Sequence, residues 1–323
     1  MKTLCKNILL PIWQSSVGNF LRYYLYCIRE EIFTVREKIT RYSWLKEHFQ
    51  ERTGYELDLE NPLSLNQKIN WKKIFDRNPL LPVVADKYLV REYLKQILGE
   101  DNADKLLIPL LYVTENPATI PFDDLPGEYI IKANHGSRMN IIVERNTPVS
   151  RQQIITQCRD WLIRRYGQRK HEWAYKKIKP KIIIEELIRT ESGEIPEEYK
   201  FHIMNGKCQF IEVNSGRYTH KRKSSFDRNW NFLDISDKTG KWDKGGFVQK
   251  PDNLDEMVEL AENLGSPFDY IRVDLYSVNG RIFFGELTNY PQSGEYAFDP
   301  LSFDFELGSK WELKPDYWKK KLK

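Results

Sequence analysis

The period of the hydrophobic pattern changes along this chain. Between Asn19 and Thr53 there is neither glycine nor proline, and Leu21, Leu25, Ile28, Ile32, Val35, Ile39 and Tyr42 recur at alternating spacings of four and three. That spacing predicts one apolar stripe on a long helix. Ser64-Leu65-Asn66-Gln67 has the form of a capping box and opens a helix through about Phe75, closed by Asn78-Pro79. A further helix is expected from Pro82 to about Leu98, with Val83, Val90, Leu94 and Ile97 on one face. Lys87 falls on that same face, where it either snorkels to water or points into a site. The texture then turns to short strand-like runs. Strands are expected at 107–113, 128–134, 140–144, 181–188, 199–204, 208–213, 271–276 and 281–288, with helices over 151–166 and 254–264. Strands and helices mix without regular alternation, so the predicted class is α+β rather than a doubly wound sheet.

Composition narrows the function classes. With 9 Trp, 18 Tyr and 16 Phe in 323 residues there is ample core material, which excludes global disorder. The net charge of +4 is too balanced for a dedicated nucleic-acid binder, and no nucleic-acid partner is expected. No run approaches the roughly 20 apolar residues of a membrane-spanning helix. The opening MKTLCKNILLPIW has a short apolar run broken by Pro11 and no small-residue cleavage site, which argues against a secretory signal. Cys5, Cys27, Cys158 and Cys208 are far apart, so a reduced, cytoplasmic chain is expected. Residues 1–45 hold seven basic residues against three acids. The stripe within them reads as a helix packed on its own domain, a peripheral membrane contact at the inner face of the cytoplasmic membrane, or a homodimer seam.

Three places carry candidate chemistry. Arg272 and Asp274 share one face of a strand, and Glu286 and Thr288 share a face of the next. Whether the faces coincide depends on the turn at Val278-Asn279-Gly280. A two-residue Asn-Gly loop pairs Val278 with Arg281 and throws Glu286 to the far side. A three-residue loop pairs Ser277 with Arg281 and brings both carboxylates together. Such acids suit Mg²⁺ held against phosphates, or an Arg–Glu salt bridge. Second, a strand ending in Lys132 runs into Ala133-Asn134-His135-Gly136-Ser137 and a second strand, a way to fold a sheet over phosphates. Third, the apolar strand from Lys181 ends in Glu185 and Glu186, which face opposite ways.

In order, NPLSLNQKINWKKIFDRNPL, ADKYLVREY, IIKANHGSRMNIIV, KPKIIIEELI, EYKFHIMNGK and RVDLYSVNGRIFFGELTNYPQSG resemble the ATP-grasp superfamily, specifically its branch related to the teichuronopeptide biosynthesis protein TupA. The resemblance spans about residues 50–310. It implies an ATP-grasp fold, two α+β subdomains clasping ATP, here with a helical N-terminal extension. The corresponding division is 1–50 extension, 51–104 helical lead-in, 105–180 first subdomain, 181–310 second subdomain and 311–323 basic tail. It implies ATP and Mg²⁺ as cofactors. Lys87 and Lys132 match the phosphate lysines, His135, Gly136 and Ser137 the phosphate-covering loop, and Glu185, Glu186 and Leu187 the hinge at adenine and ribose. Lys200, in EYKFHIMNGK, joins the cofactor set. Arg272, with Lys132, takes the catalytic place beside the transferring phosphoryl group. Asp274 and Glu286 match the metal carboxylates, with Thr288 or Asn289 for the third ligand. The loop departs from the family in reading Gly136-Ser137-Arg138-Met139, with less glycine than usual.

The resemblance implies a carboxylate–amine ligase joining an amino acid or similar amine to a uronic acid of a cell-surface polysaccharide or precursor. Arg217, His220, Lys221 and Arg222, and the basic run 164–171 with Trp173 and Tyr175, are the candidate contacts to an anionic glycan. The competing readings are a sugar or polysaccharide kinase on the same nucleotide site, and a membrane-associated assembly protein with a degenerate one.

Overall fold

The computed structural model describes residues 16–145, 149–216, 220–240, 242–314 and 316–320. Helix α1 (Ser16–Ile39) carries the predicted stripe but does not run on to Thr53. Arg41 and Tyr42 are left-handed, with φ of 51° and 64°, and α2 (Ser43–Thr53) begins afresh. The cause is Glu37, a buried residue whose carboxylate accepts from the Trp44 and Leu45 amides at 3.2 and 3.1 Å. A helix start needs partners for its first amides, and here a distant side chain supplies them. Helix α3 (Leu65–Phe75) has its capping box: Ser64 Oγ accepts from the Gln67 amide at 3.1 Å and Gln67 Oε1 from the Ser64 amide at 3.2 Å. The helix expected from Pro82 to Leu98 is two, α4 (Leu80–Ala85) and α5 (Val90–Leu98), followed by α6 (Glu100–Leu106). Asp86 separates them, its Oδ1 accepting from the Tyr88 and Leu89 amides at 2.8 and 3.3 Å. Lys87 therefore sits in a break and not on a helix face.

Strands β1 (Leu110–Thr114), β2 (Tyr129–Ala133), β3 (Asn140–Val143) and β4 (Ile182–Glu186) form an antiparallel sheet in the order β1-β4-β2-β3. Helix α7 (Arg151–Leu162) backs it, burying Ile131, Ile182 and Ile184 against Ile154, Cys158 and Trp161. A short helix, α8 (Trp173–Lys176), precedes β4. Because β4 completes this first sheet, the division between the sheets falls after Glu186 and not at 181. The second sheet contains β5 (Glu198–Met204), β6 (Lys207–Ser215), β7 (Arg222–Phe226), β8 (Phe232–Leu233), β10 (Asp243–Lys244), β11 (Tyr270–Val278) and β12 (Arg281–Thr288). Its order is β10-β7-β6-β5-β11-β12, with β8 beside β7; β9 (Ser236–Asp237) pairs separately with β13 (Phe298–Asp299). Phe201, Ile203, Val213, Ile271 and Val273 pack with α9 (Leu254–Gly265) in a core that also takes in Leu81 of α4 and Leu94 of α5. The helical lead-in thus shares the second sheet's core.

Alternation leaves the other face of the second sheet polar, with Lys200, His202, Glu212, Arg272 and Asp274 buried there. Helix α3 anchors the chain that leaves this sheet. Asn66 donates to the Tyr296 carbonyl at 2.8 Å, Asn70 to Gly294 at 2.8 Å and Lys73 to Ser293 at 2.8 Å. Lys72, fully buried, bonds Asp76 at 2.6 Å and Asp269 at 2.5 Å. Removing one member of such a buried group strands the others, so Lys72→Met is expected to lower unfolding free energy by about 3–5 kcal/mol in urea titrations.

Helix α1 is held to the body by charge. Arg169 bonds Glu30 at 2.9 Å, while Arg165 and Lys176 bond Glu31 at 3.1 and 2.5 Å. The basic run 164–171, expected to be free for an anionic glycan, is in large part spent on this attachment. Trp173 and Tyr175 likewise pack on the core. His171 lies between α1 and α2, stacked 6.2 Å from Phe33. Burial, aided by Lys73 and Lys38, pushes its pKa down to about 4. Glu37 lies 3.7 Å away but is committed to the α2 amides. Between pH 6.5 and 4 the unfolded chain takes up a proton at His171 that the folded chain refuses. Stability should therefore fall as pH drops through that window, by up to about 1.4 kcal/mol per unit from this ring. Urea midpoints against pH, flattened in His171→Gln, check it. Among the described residues no helix is long and apolar enough to cross a membrane.

Candidate active site

A cleft opens between the two sheets. Parity along β2 turns Ile130 and Lys132 to it, away from the α7 core. Lys132 Nζ bonds Glu185 Oε2 at 2.7 Å, and Arg91 reaches Glu185 Oε1 at 3.5 Å. Glu185 is buried holding these cations, while Glu186, Leu187 and Ile188 line the cleft. In the turn after Lys132, Gly136 and Ser137 also line it. The His135 ring does not. It is buried, with Nδ1 3.1 Å from Asn134 Oδ1 and Nε2 3.1 Å from the Trp161 carbonyl, and burial pushes its pKa down. Both ring nitrogens face acceptors, of which the neutral ring can donate to one, and the ring is packed inside the turn, so the expected place of His135 over phosphates is corrected to a supporting one. Arg138 was not singled out from sequence, yet it lines the cleft with φ of 60°. A basic residue in a tight inter-strand turn was the available signal.

Lys87 reaches the cleft from the helix break. Its amide donates to the Asn134 carbonyl at 3.0 Å, and its Nζ bonds Glu286 Oε2 at 3.0 Å. The Asp at 86, a helix-start residue, was the sequence signal for that break.

The β11–β12 hairpin has the shorter of the two turns and still brings the carboxylates together. Val278 pairs with Arg281, so Asn279 (φ 52°) and Gly280 (φ 75°) make the two-residue turn. The three-residue loop is absent, and Ser277 pairs with Ile282. By parity alone Glu286 would then leave Asp274's face. A bulge reverses this: Leu275 pairs with Phe284 and Asp274 with Glu286, leaving Gly285 as the extra residue. A Cβ at position 285 would lie 2.9 Å from the Asp274 carbonyl oxygen and 3.1 Å from the Tyr276 ring, so glycine is required by close approach. An isolated glycine within a strand pattern was the missed signal.

These side chains form one charged network. Arg272 Nε and Nη2 bond the two Asp274 oxygens at 2.6 and 2.7 Å, and Nη2 also reaches Thr288 Oγ1 at 3.0 Å and Glu286 Oε1 at 3.4 Å. Lys200 bonds Asp274 at 2.5 Å and Glu198 at 2.8 Å. Burial pushes the Glu286 carboxyl up, but Lys87, Arg272 and Lys200 outweigh it and hold it well below the usual carboxylate range. Thr288 Oγ1 lies 3.1 Å from Glu286 Oε1, whereas Asn289 Nδ2 donates to the Leu81 carbonyl at 2.8 Å and its Oδ1 is buried without a hydrogen-bond partner. Of the two third-ligand candidates, Thr288 is the one beside Glu286. Glu198 and Asn214, also on the cleft, were not anticipated, though strand alternation puts them with Lys200 and Glu212. Among the described residues, no cluster of three or more His, Cys, Asp or Glu is placed to hold a metal by itself.

Arg217 lies outside the described residues. His220, Lys221 and Arg222 are exposed, and Arg222 lines a second hollow with Glu197, Tyr199 and Phe247 rather than the cleft.

A family model described as TupA-like ATPgrasp matches residues 67–312. The chain belongs to the TupA-like ATP-grasp family. Its two sheets and the cleft between them are the ATP-grasp fold of that family. Similar solved structures include a D-alanine–D-alanine ligase from Helicobacter pylori, at 18% identity and TM-score 0.39, over 71% of this chain and 62% of that one. Another is the D-alanine–D-alanine ligase from Bacillus anthracis complexed with ATP, at 15% identity and TM-score 0.39, over 70% and 64%. A third is an L-amino acid ligase from Bacillus licheniformis, at 13% identity and TM-score 0.37, over 65% and 42%. The chain thus spans less than two thirds of each of these proteins. No match is found among curated proteins.

Proposed function

We propose that this TupA-like ATP-grasp protein is an ATP-dependent carboxylate–amine ligase. The observation carrying the reading is the convergence of Lys87, Lys132 and Arg138 on one cleft that also holds Glu286, with Arg272 and Lys200 buried behind it on Glu286 and Asp274. Such a set of cations balances phosphates, and the apolar Leu187 and Ile188 suit a purine. Lys87, Lys132, Arg272 and Lys200 are each paired with a carboxylate here, so these four are charge-compensated until an anion enters. Lys132 and Lys87 would then turn from Glu185 and Glu286 to phosphate oxygens. Glu286, a third exposed and beside Thr288, fits as the oxygen ligand of Mg²⁺ brought in with the nucleotide. Asp274 fits as its partner once Arg272 and Lys200 are drawn to phosphate. Bound Mg²⁺ would neutralise developing phosphoryl charge.

In the reaction a substrate carboxylate oxygen attacks the γ-phosphorus and the bond to ADP breaks. An amine then attacks the acyl carbon, phosphate leaves with the bonding pair, and the amine gives up its proton. Arg272 and Lys132 would hold the phosphoryl oxygens. For the substrates we read an amino acid or similar amine and a uronic acid of a surface glycan, supported by the family resemblance and by the exposed His220, Lys221 and Arg222. Incubating the protein with ATP, Mg²⁺, pooled amino acids and uronic-acid glycans should release ADP and phosphate and yield an amide by mass spectrometry. ADP with a phosphorylated glycan and no free phosphate would instead identify a kinase.

A further inference from the structure

Helix α1 is turned opposite to a helix packed on its own protein. Leu25, Ile28, Ile32, Val35 and Ile39 face solvent, Ile32 at 63% and Ile39 at 76% exposure. Two of its acids point inward, Glu30 and Glu37 being buried, and the half-exposed Glu31 is held by Arg165 and Lys176. Arg29, Arg36 and Lys38 remain exposed. At 3.6 residues per turn, Arg29 and Arg36 flank one side of the stripe and Lys38 the other. On the Lys38 side Glu31 also borders the stripe, but it is bonded to Arg165 and Lys176, so the edges of the exposed apolar stripe are net cationic, matching a surface that is apolar below and anionic above.

We propose that α1 docks on an anionic lipid surface, its stripe at the headgroup–acyl boundary and Arg29, Arg36 and Lys38 against lipid phosphates. A second copy fits less well. A seam along this stripe would bring basic flanks together, and Glu31, the acid that would relieve them, is already bonded within its own chain. The docking also bears on the cleft. The segment holding Glu30 and Glu31 includes Tyr166, whose ring lies against Gly136 in the cleft turn. The cleft would therefore work close to the membrane plane, whatever reaction it performs.

Co-sedimentation of the full chain with phosphatidylcholine vesicles, with and without phosphatidylglycerol, tests this. The wild type should pellet with the anionic vesicles, less so as salt is raised. Ile32→Ser/Ile39→Ser and Arg29→Glu/Arg36→Glu should each bind at least about tenfold more weakly, with ATP turnover in the absence of lipid unchanged. Equal binding to both vesicle types, or undiminished binding by both variants, overturns the proposal. So does absence of vesicle binding, and a wild-type dimer made monomeric by Ile32→Ser/Ile39→Ser would assign the stripe to a second copy.

Discussion

Gly285→Val is expected to lower ATP turnover by about 100-fold or more while the protein remains folded. The substituted Cβ would lie 2.9 Å from the Asp274 carbonyl oxygen, so the bulge cannot keep its present form. Without the bulge, the Asn279-Gly280 turn dictates a register in which Glu286 faces away from Asp274 and Arg272. The β11–β12 pairing itself can persist in that register, which is why the expected loss is of function before fold. Gly280→Val is the contrasting change. It strains a left-handed position by roughly 1 kcal/mol but leaves the bulge in place. Turnover and circular dichroism of the two variants separate the effects, and near-wild-type turnover in Gly285→Val would show that the position of Glu286 is immaterial.

Lys132→Ala and Lys87→Ala are each expected to weaken ATP binding by roughly tenfold to a hundredfold, the loss of one hydrogen bond between charged groups. Neither should unfold the chain, because each partner keeps a second cation. Glu185 retains Arg91 at 3.5 Å and Glu286 retains Arg272 at 3.4 Å. Calorimetric titration with ATP and Mg²⁺ reads the effect directly. Wild-type affinity in both variants would remove the nucleotide from this cleft.

Much of the fold was legible because the strands are short β-branched and aromatic runs bounded by polar and turn residues. Eight strands and the helices over 151–162 and 254–265 lie within a few residues of where periodicity puts them. The failures have local causes. The break at Arg41-Tyr42 has no glycine or proline to announce it and depends on the Glu37 carboxylate reaching across the gap. The break at Asp86 leaves an apolar pattern that still reads as one helix, although an aspartate there is a start signal. Strand β7 was hidden because Arg222 read as one of a run of basic glycan contacts, while the neighbouring Lys223 is buried against Glu212 at 3.0 Å. At the hairpin, the turn is the two-residue one that would by itself separate the carboxylates, and Gly285 supplies the missing residue of register. Asp274 and Glu286 thus share a face through a bulge and not through the three-residue loop that the alternation of side chains would otherwise require. His135 was legible as part of the turn but not as its internal brace, since its partner is the Trp161 carbonyl 26 residues away.

The most direct test of ligase chemistry follows oxygen atoms. If a carboxylate is activated by phosphoryl transfer, one of its oxygens must leave with the phosphate when the amine attacks. A glycan whose uronic carboxylates carry ¹⁸O should therefore, with ATP, Mg²⁺ and an amino acid, yield amide product, ADP and inorganic phosphate bearing one ¹⁸O. Label retained entirely in the glycan, with phosphate unlabelled or absent, would contradict an acyl phosphate and with it the ligase.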